Sequence, residues 1–299
     1  MGICEGRVVV ITGAGGGIGR EHALEFANQG ARIVVNDLGG NMDGTGASAG
    51  PAQLVVDEIK AMGGEAVANT DNVAEWEGAR RLIGTAVETF GTIDVLVNNA
   101  GILRDRMFVN MTPEEWDAVI HVHLRGTFAP TRFAADVWRD RIKKGLSNDA
   151  RVICTSSTSG IFGNVGQTNY GAAKAGIAAF TVILAQELVR YGVTVNAIAP
   201  AALTRMTAGL MPDRPEVPAE QFDRSDPANI APLVVWLGSP ESKDVTGRVF
   251  IVSGGVISVA EGWERGPTVR QDDRWDPAAL GAVIPDLVAK AAANSSMRS

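Results

Sequence analysis

Val8-Val9-Val10-Ile11-Thr12-Gly13-Ala14-Gly15-Gly16-Gly17-Ile18-Gly19 opens the chain and decides its architecture. The β-branched run Val8 to Ile11 suits a strand buried on both faces, and the glycines that follow permit a tight turn. A helical apolar pattern begins near Ile18 and runs to Gln29-Gly30, so the segment predicts strand, glycine turn and helix. Working outward, similar runs recur at Ala31 to Asn36, Glu65 to Asn69, Ile93 to Asn98, Arg151 to Thr155, Thr194 to Ile198 and Val249 to Val252. Helical segments separate them. Continuous apolar strands alternating with helices imply a parallel sheet covered on both faces, that is, a doubly wound α/β fold of Rossmann type.

Three stretches break the rhythm. Gly39 to Pro51 is rich in Gly, Asn, Asp, Ser and Thr and reads as a long flexible loop after the second strand. Ala208 to Asp226, proline-rich and charged, reads as a mobile flap beside a substrate. Beyond residue 256 a tail carries Trp263, Trp275 and a helical pattern from Pro277 to Ala293. The expectation is one domain over residues 1–256 and an extension over 257–299 that packs on it or at a subunit interface.

The 299 residues suffice to bury a large core without disulfides or a metal, and Cys4 and Cys154 are expected as free thiols. With 27 basic against 34 acidic residues the net charge is −7, which opposes binding to nucleic acid or anionic lipid. No uninterrupted apolar run reaches the roughly 18 residues that cross a bilayer. Met1 to Gly6 lacks the Ser or Thr of a myristoylation signal, and Ser296-Met297-Arg298-Ser299 is no peroxisomal address, so a cytoplasmic location and no membrane partner are expected.

The turn formed by Gly13, Gly15, Gly16, Gly17, Ile18 and Gly19 places backbone N–H groups and a helix N-terminus where a pyrophosphate can approach. A glycine string alone is weak evidence, since structural loops produce it. Its position after the first strand, with Asp37 and Leu38 closing the second, strengthens the dinucleotide reading. A carboxylate accepts hydrogen bonds from two ribose hydroxyls and repels a 2′-phosphate, so Asp37 predicts NAD over NADP. Arg20 and Arg32 are the residues that could instead flank such a phosphate.

Tyr170 and Lys174 stand four apart, on one helix face. A free phenol has a pKa of about 10, too high for a base near neutrality. A neighbouring ammonium favours phenolate, which can then take a proton from a substrate hydroxyl. Ser157, in the strand-end string Thr155 to Gly160, can hydrogen-bond the same oxygen.

From about residue 5 to 256 the sequence resembles the short-chain dehydrogenase/reductase family. The matching elements are Thr12-Gly13-x-x-x-Gly17-x-Gly19, Asn98-Asn99-Ala100-Gly101, Ser157, Tyr170-x-x-x-Lys174 and Thr246-Gly247 to Gly254-Gly255. The resemblance implies that Ser157, Tyr170 and Lys174 are catalytic, and that Asn99, Ala100 and Gly101 lie beside the cofactor with Asn98. It also implies that Asp71, Asn72 and Val73 flank the adenine and that Pro200 leads into the nicotinamide pocket. The family usually has Asn where His123 stands here, in Val122-His123-Leu124-Arg125-Gly126; an imidazole could serve the same proton relay. His121 reads as a solvated surface residue.

His123, the string Val35 to Gly40 with its long loop, the segment Gly163 to Tyr170, and Arg205 in Ala199 to Thr207 resemble one branch of the family. That branch holds the (3R)-hydroxyacyl-CoA dehydrogenase domains of peroxisomal multifunctional enzymes, also described as 17β-hydroxysteroid dehydrogenases. It implies oxidation of a (3R)-hydroxyacyl-CoA to the 3-ketoacyl-CoA, with Arg104, Arg106 and Arg205 as candidates to meet the phosphates of CoA. A hydroxysteroid or other alcohol dehydrogenase remains open, as does a non-catalytic NAD(H)-binding regulator. A homodimer or homotetramer is expected, through faces that include the Tyr170 to Leu188 helix.

Overall fold

In the computed structural model, which describes residues 2–41, 43–46, 48, 50–204, 217–218 and 220–296, strand β1 (Val8–Thr12) is buried at every position. Its side chains alternate between two apolar layers. Val9 and Ile11 join a cluster with Phe26, Ile33, Val35, Ile59 and Val234, whereas Val8 and Val10 join one with Val34, Leu82, Leu96, Trp138 and Ile177. The two-residue period of a strand produces this division, and a run of β-branched residues can serve both faces at once.

The order is β1, α1 (Gly17–Asn28), β2 (Arg32–Asn36), α2 (Gly50–Ala61), β3 (Glu65–Asn69), α3 (Trp76–Phe90) and β4 (Val95–Asn98), followed by α4 (Pro113–Ile120) and α5 (Gly126–Lys143). Then come β5 (Ala150–Thr155), α6 (Thr158–Phe162), α7 (Thr168–Leu188), β6 (Val193–Ala201), α8 (Ala231–Gly238), β7 (Val249–Ser253), β8 (Val256–Ala260) and α9 (Leu280–Lys290). The sheet runs β3-β2-β1-β4-β5-β6-β7-β8, parallel up to β7. The reversal at β1 and β4 opens a crevice at the carboxyl ends of the strands, where ligands of such sheets bind.

The opposite ends are pinned. Arg7, just before β1, donates 2.9 and 2.6 Å hydrogen bonds to the carboxylate and carbonyl of Asp149, just before β5. Arg151, almost wholly buried, bonds the Ser239 carbonyl and the Ser242 hydroxyl, each at 3.1 Å, and pairs with Asp149. A buried guanidinium needs these partners, since its donors would otherwise lose their hydration uncompensated.

Four expectations change. β8 pairs antiparallel with β7, so the sheet is not wholly parallel; residues 1–260 form one compact unit and 261–299 a second. Its helix α9 is shorter than the pattern from Pro277 to Ala293 suggested, and none of its residues is buried. The loop after β2 is hydrogen-bonded at its neck and tip among its described residues. Thr168–Tyr191 does have the length and mean hydropathy, 1.5, of a membrane-crossing helix. Lys174 stands there among small apolar residues, which keeps the mean high; here the segment is the helix that carries Tyr170 and Lys174 along the sheet. Cys4 and Cys154 are buried and free.

Candidate active site

Gly13 has φ +64°, and a Cβ there would lie 2.8 Å from the Cα of Ala100; a Cβ at Gly19 would lie 2.2 Å from the Gly13 carbonyl oxygen. The turn is therefore packed against the loop after β4 and against the helix it starts. Asn99 secures the contact, donating from Nδ2 to the Thr12 and Gly13 carbonyls at 3.1 Å, while its backbone N–H and that of Ala100 bond the Thr12 hydroxyl. α1 has Gly16 at its N-cap position, with no side-chain cap and no acidic residue in its first turn. Its leading N–H groups are thus available to an anion, and the bare glycines leave room for one.

Asp37 is held at the end of β2. Its Oδ2 accepts the Gly15 N–H at 2.8 Å and its Oδ1 the Gly39 N–H at 2.7 Å, leaving further lone pairs on both oxygens. Leu38 follows it into the loop. At the next strand end Asp71 accepts from Arg81 Nε at 2.7 Å and Asn69 Nδ2 at 2.9 Å; Asn72 caps the Ala74 N–H, and Val73 is buried. Both candidates for a 2′-phosphate are engaged elsewhere. Arg20 pairs with Glu58 and Glu21, and Arg32 donates to the Gly6 carbonyl at 3.0 Å and lies over the Phe90 ring.

Ser157, Tyr170 and Lys174 converge at the ends of β5 and α7. Ser157 caps α6 through the Ser159 N–H, and its hydroxyl is near enough to the Tyr170 phenol to favour the phenolate. Lys174 is buried, donates to the Thr155 carbonyl at 2.6 Å, and has its Nζ 5.5 Å from the Tyr170 ring centroid. Burial pushes the lysine down to about 7. Burial also pushes Tyr170 above its ordinary value, with the Ser157 hydroxyl opposing and the Asp105 carboxylate adding to the rise. The expected lowering of the phenol is thus not present in the protein alone, because enclosure penalises both charged forms. Forming the phenolate would restore the ammonium beside it, since each charge stabilises the other in a poorly solvated space.

His123 lies in a π-helical turn, His121–Arg125, between α4 and α5, and is almost fully buried. Its Nε2 is 2.8 Å from the Ile102 carbonyl oxygen and 3.1 Å from the Ile102 nitrogen. The shorter contact favours the tautomer with hydrogen on Nε2, donating to the carbonyl. Nδ1 is then a buried acceptor without a protein partner among the described residues. Burial and the neighbouring Lys174 push the imidazole down to about 3, so it is neutral, and its ring meets Tyr170 edge-on with centroids 5.2 Å apart. Gly101 makes room: a Cβ there would lie 2.4 Å from His123 Cε1. His121 is exposed and faces Glu75 at 3.3 Å, as a surface residue would.

Arg106 pairs with Glu115 at 3.0 Å, whereas Arg104 donates from Nε to the Asp43 carbonyl at 2.8 Å, a contact that leaves its charge unbalanced. Arg205, and the flap up to residue 216, lie outside the described residues. Pro200 sits near the end of β6, opposite Val252. Sequence reasoning missed Asn169, whose Nδ2 donates to the Arg104 and Glu115 carbonyls while its Oδ1 accepts the Tyr170 N–H at 2.7 Å. It also missed Asp105, bonded by Gln167 Nε2 at 2.7 Å and felt by Tyr170. Both act across distant loops, which no local pattern reveals.

A serine, tyrosine and buried lysine beside an uncapped glycine turn on a doubly wound sheet make an oxidoreductase, and the chain belongs to the short-chain dehydrogenase/reductase family. The short chain dehydrogenase profile matches residues 7–215. Hydroxyacyl-CoA dehydrogenase ChsB1 of Mycobacterium tuberculosis is 45% identical over 291 residues, 95% of this chain and 89% of that one. Peroxisomal multifunctional enzyme type 2 of Mus musculus is 48% identical over 261 residues; the match spans 87% of this chain but 33% of that longer protein. A crystal structure of a short chain dehydrogenase from Mycobacterium avium superposes with a TM-score of 0.89 at 57% identity, covering 99% of each chain.

Proposed function

We propose that the protein oxidises a (3R)-hydroxyacyl-CoA to the 3-ketoacyl-CoA with NAD. The observation that carries the chemistry is the convergence of Tyr170 with buried Lys174, whose Nζ lies 5.5 Å from the phenol ring centroid and is anchored on the Thr155 carbonyl, beside Ser157. The substrate class rests on relatives named as hydroxyacyl-CoA dehydrogenase and multifunctional peroxisomal enzyme. NAD rests on the fixed Asp37 carboxylate together with the engagement of Arg20 and Arg32.

The uncapped start of α1 would hold the pyrophosphate, Asp37 the adenosine ribose, and Lys174 with Tyr170 the nicotinamide end. Once bound, the dinucleotide supplies the acceptor for the hydride that leaves the carbinol carbon. Tyr170 takes the hydroxyl proton, Ser157 donates a hydrogen bond to the same oxygen, and Lys174 stabilises the phenolate. Neutral His123 holds the Ile102 backbone against the site and offers Nδ1 as an acceptor near Lys174. The apolar outer face of α7, with Val182 and Ile183 exposed, fits a homo-oligomer.

The test is a panel of 3-hydroxyacyl-CoA thioesters and 17β-hydroxysteroids, both alcohol stereoisomers of each, read by NADH absorbance. Turnover of the (3R) thioesters is expected; activity on steroids alone overturns the substrate assignment. Tyr170→Phe should lose nearly all turnover while still binding dinucleotide. Asp37→Ala should shift the NAD to NADP preference by about tenfold or more toward NADP, and an unchanged ratio refutes the cofactor assignment.

A further inference from the structure

We infer that Asp105 is a positioning residue for the proton transfer: clamped against the first turn of α7, its carboxylate opposes departure of the Tyr170 proton and so sets the pH at which the phenol changes from donor to acceptor. The inference rests on the reading of Tyr170 as the group that exchanges a proton with the substrate.

The clamp is a buried amide. Gln167, at the N-cap of α7, donates from Nε2 to Asp105 Oδ2 at 2.7 Å. Its Oε1 accepts the Ser159 hydroxyl at 2.8 Å and Asn164 Nδ2 at 3.0 Å. An ionised carboxylate only accepts hydrogen bonds, so the amide nitrogen must face Asp105, and the two donors on Oε1 hold it there.

The main chain on either side of Asp105 is tied to the same turn. The Arg104 carbonyl accepts from Asn169 Nδ2 at 2.9 Å, and the Arg106 N–H donates to the Gly166 carbonyl at 2.8 Å. Asn169 Oδ1 in turn accepts the Tyr170 N–H. Asp105 is therefore fixed relative to Tyr170, although it is itself exposed to solvent.

The other groups around the phenol come from several elements. His123, in the π-helical turn, is neutral, and Arg106 is paired with Glu115 of α4. Arg104 directs its Nε to the Asp43 carbonyl. Lys174, on the phenol's own helix, is charged only in part near neutrality, and the Ser157 hydroxyl favours the phenolate. Asp105 acts against that pull and adds to the rise that burial causes. A like charge beside the phenolate makes it costlier, which widens the pH range in which Tyr170 still holds a proton to give to a ketone.

The experiment compares Asp105→Asn, which removes the charge and keeps an acceptor for Gln167, with Asp105→Glu, which keeps the charge. kcat/KM is measured against pH for oxidation of a 3-hydroxyacyl-CoA with NAD and for reduction of the 3-ketoacyl-CoA with NADH, with thermal unfolding as a check on folding. In Asp105→Asn both profiles should move together to lower pH, so that near neutrality oxidation gains about threefold and at the alkaline end reduction loses about threefold. Asp105→Glu should stay near wild type. Damage to the fold alone would instead lower both directions at every pH.

A second readout needs neither substrate nor dinucleotide. In Tyr191→Phe protein Tyr170 is the one remaining tyrosine, and its phenolate can be titrated by ultraviolet absorbance. Asp105→Asn in that background should titrate at lower pH, and Asp105→Ser carries the same test should the Asn variant fail to fold. A titration that is unmoved, or moved to higher pH, overturns the role of Asp105. A titration moved to lower pH in a protein that turns over no hydroxyacyl-CoA upholds that role and overturns the substrate reading alone.

Discussion

Lys174 and Tyr170 show how a single cause can move two groups in opposite directions. Enclosure lowers the amine to about 7 and raises the phenol, so near neutrality the phenol is protonated while the lysine is only about half charged. Because the working base is the phenolate, kcat/KM for oxidation should rise with pH between 7 and 9; a flat profile would remove Tyr170 from the proton transfer. His22 and His123 carry a separate signature, since burial takes both down to about 3. The unfolded chain binds these protons below pH 6.5 while the folded one does not, so stability is greatest above 6.5 and is lost as pH falls toward 3. Each histidine should cost about 2 kcal/mol between pH 7.5 and 5. His22→Leu should remove one such share from the drop measured by urea unfolding at those two pH values. The meeting of Ser157, Tyr170 and Lys174 was legible in the sequence because their spacing is local. The neutrality of His123 was not, since it depends on burial and on the Lys174 charge, which other elements supply, with the Ile102 hydrogen bond opposing.

At the scale of elements, α6 and α7 meet at Gly160, where a Cβ would lie 2.5 Å from the Ala175 nitrogen and 2.8 Å from Lys174 Cβ. Gly160→Ala must push the helices apart and so separate Ser157 from Tyr170; kcat should fall by about tenfold or more while NADH binding, measured by fluorescence, holds. The start of α4 is a capping box, with Thr112 accepting the Glu115 N–H and Glu115 accepting the Thr112 N–H. Thr112→Ala should lower stability by about 1 kcal/mol in chemical denaturation. The strands and the helices α1 and α7 were readable because period-2 and period-3.6 patterns are strong over such lengths. β8 escaped because its Val, Ile and Val are exposed and follow a glycine turn, so the run looked like the start of a tail. The π-turn escaped because one extra residue in a helix leaves no mark in composition.

For the whole molecule, the exposed Val182 and Ile183 on α7 predict self-association. Ile183→Asp should shift light-scattering mass from oligomer to monomer without changing NADH affinity, and an unchanged mass would remove α7 from the interface. The doubly wound class could be read from strand spacing, whereas the coupling of distant loops through Arg104 and Asn169 could not, because sequence separation hides it. Arg7, Asp149 and Arg151 tie the amino ends of β1 and β5 to the chain after α8, far from every residue assigned to chemistry. That separation makes the protein a frame with one locked rim and one editable rim. Changes aimed at the chemistry belong at the carboxyl rim, and the charged cluster at the locked rim should be left untouched so that altered loops still have a rigid platform.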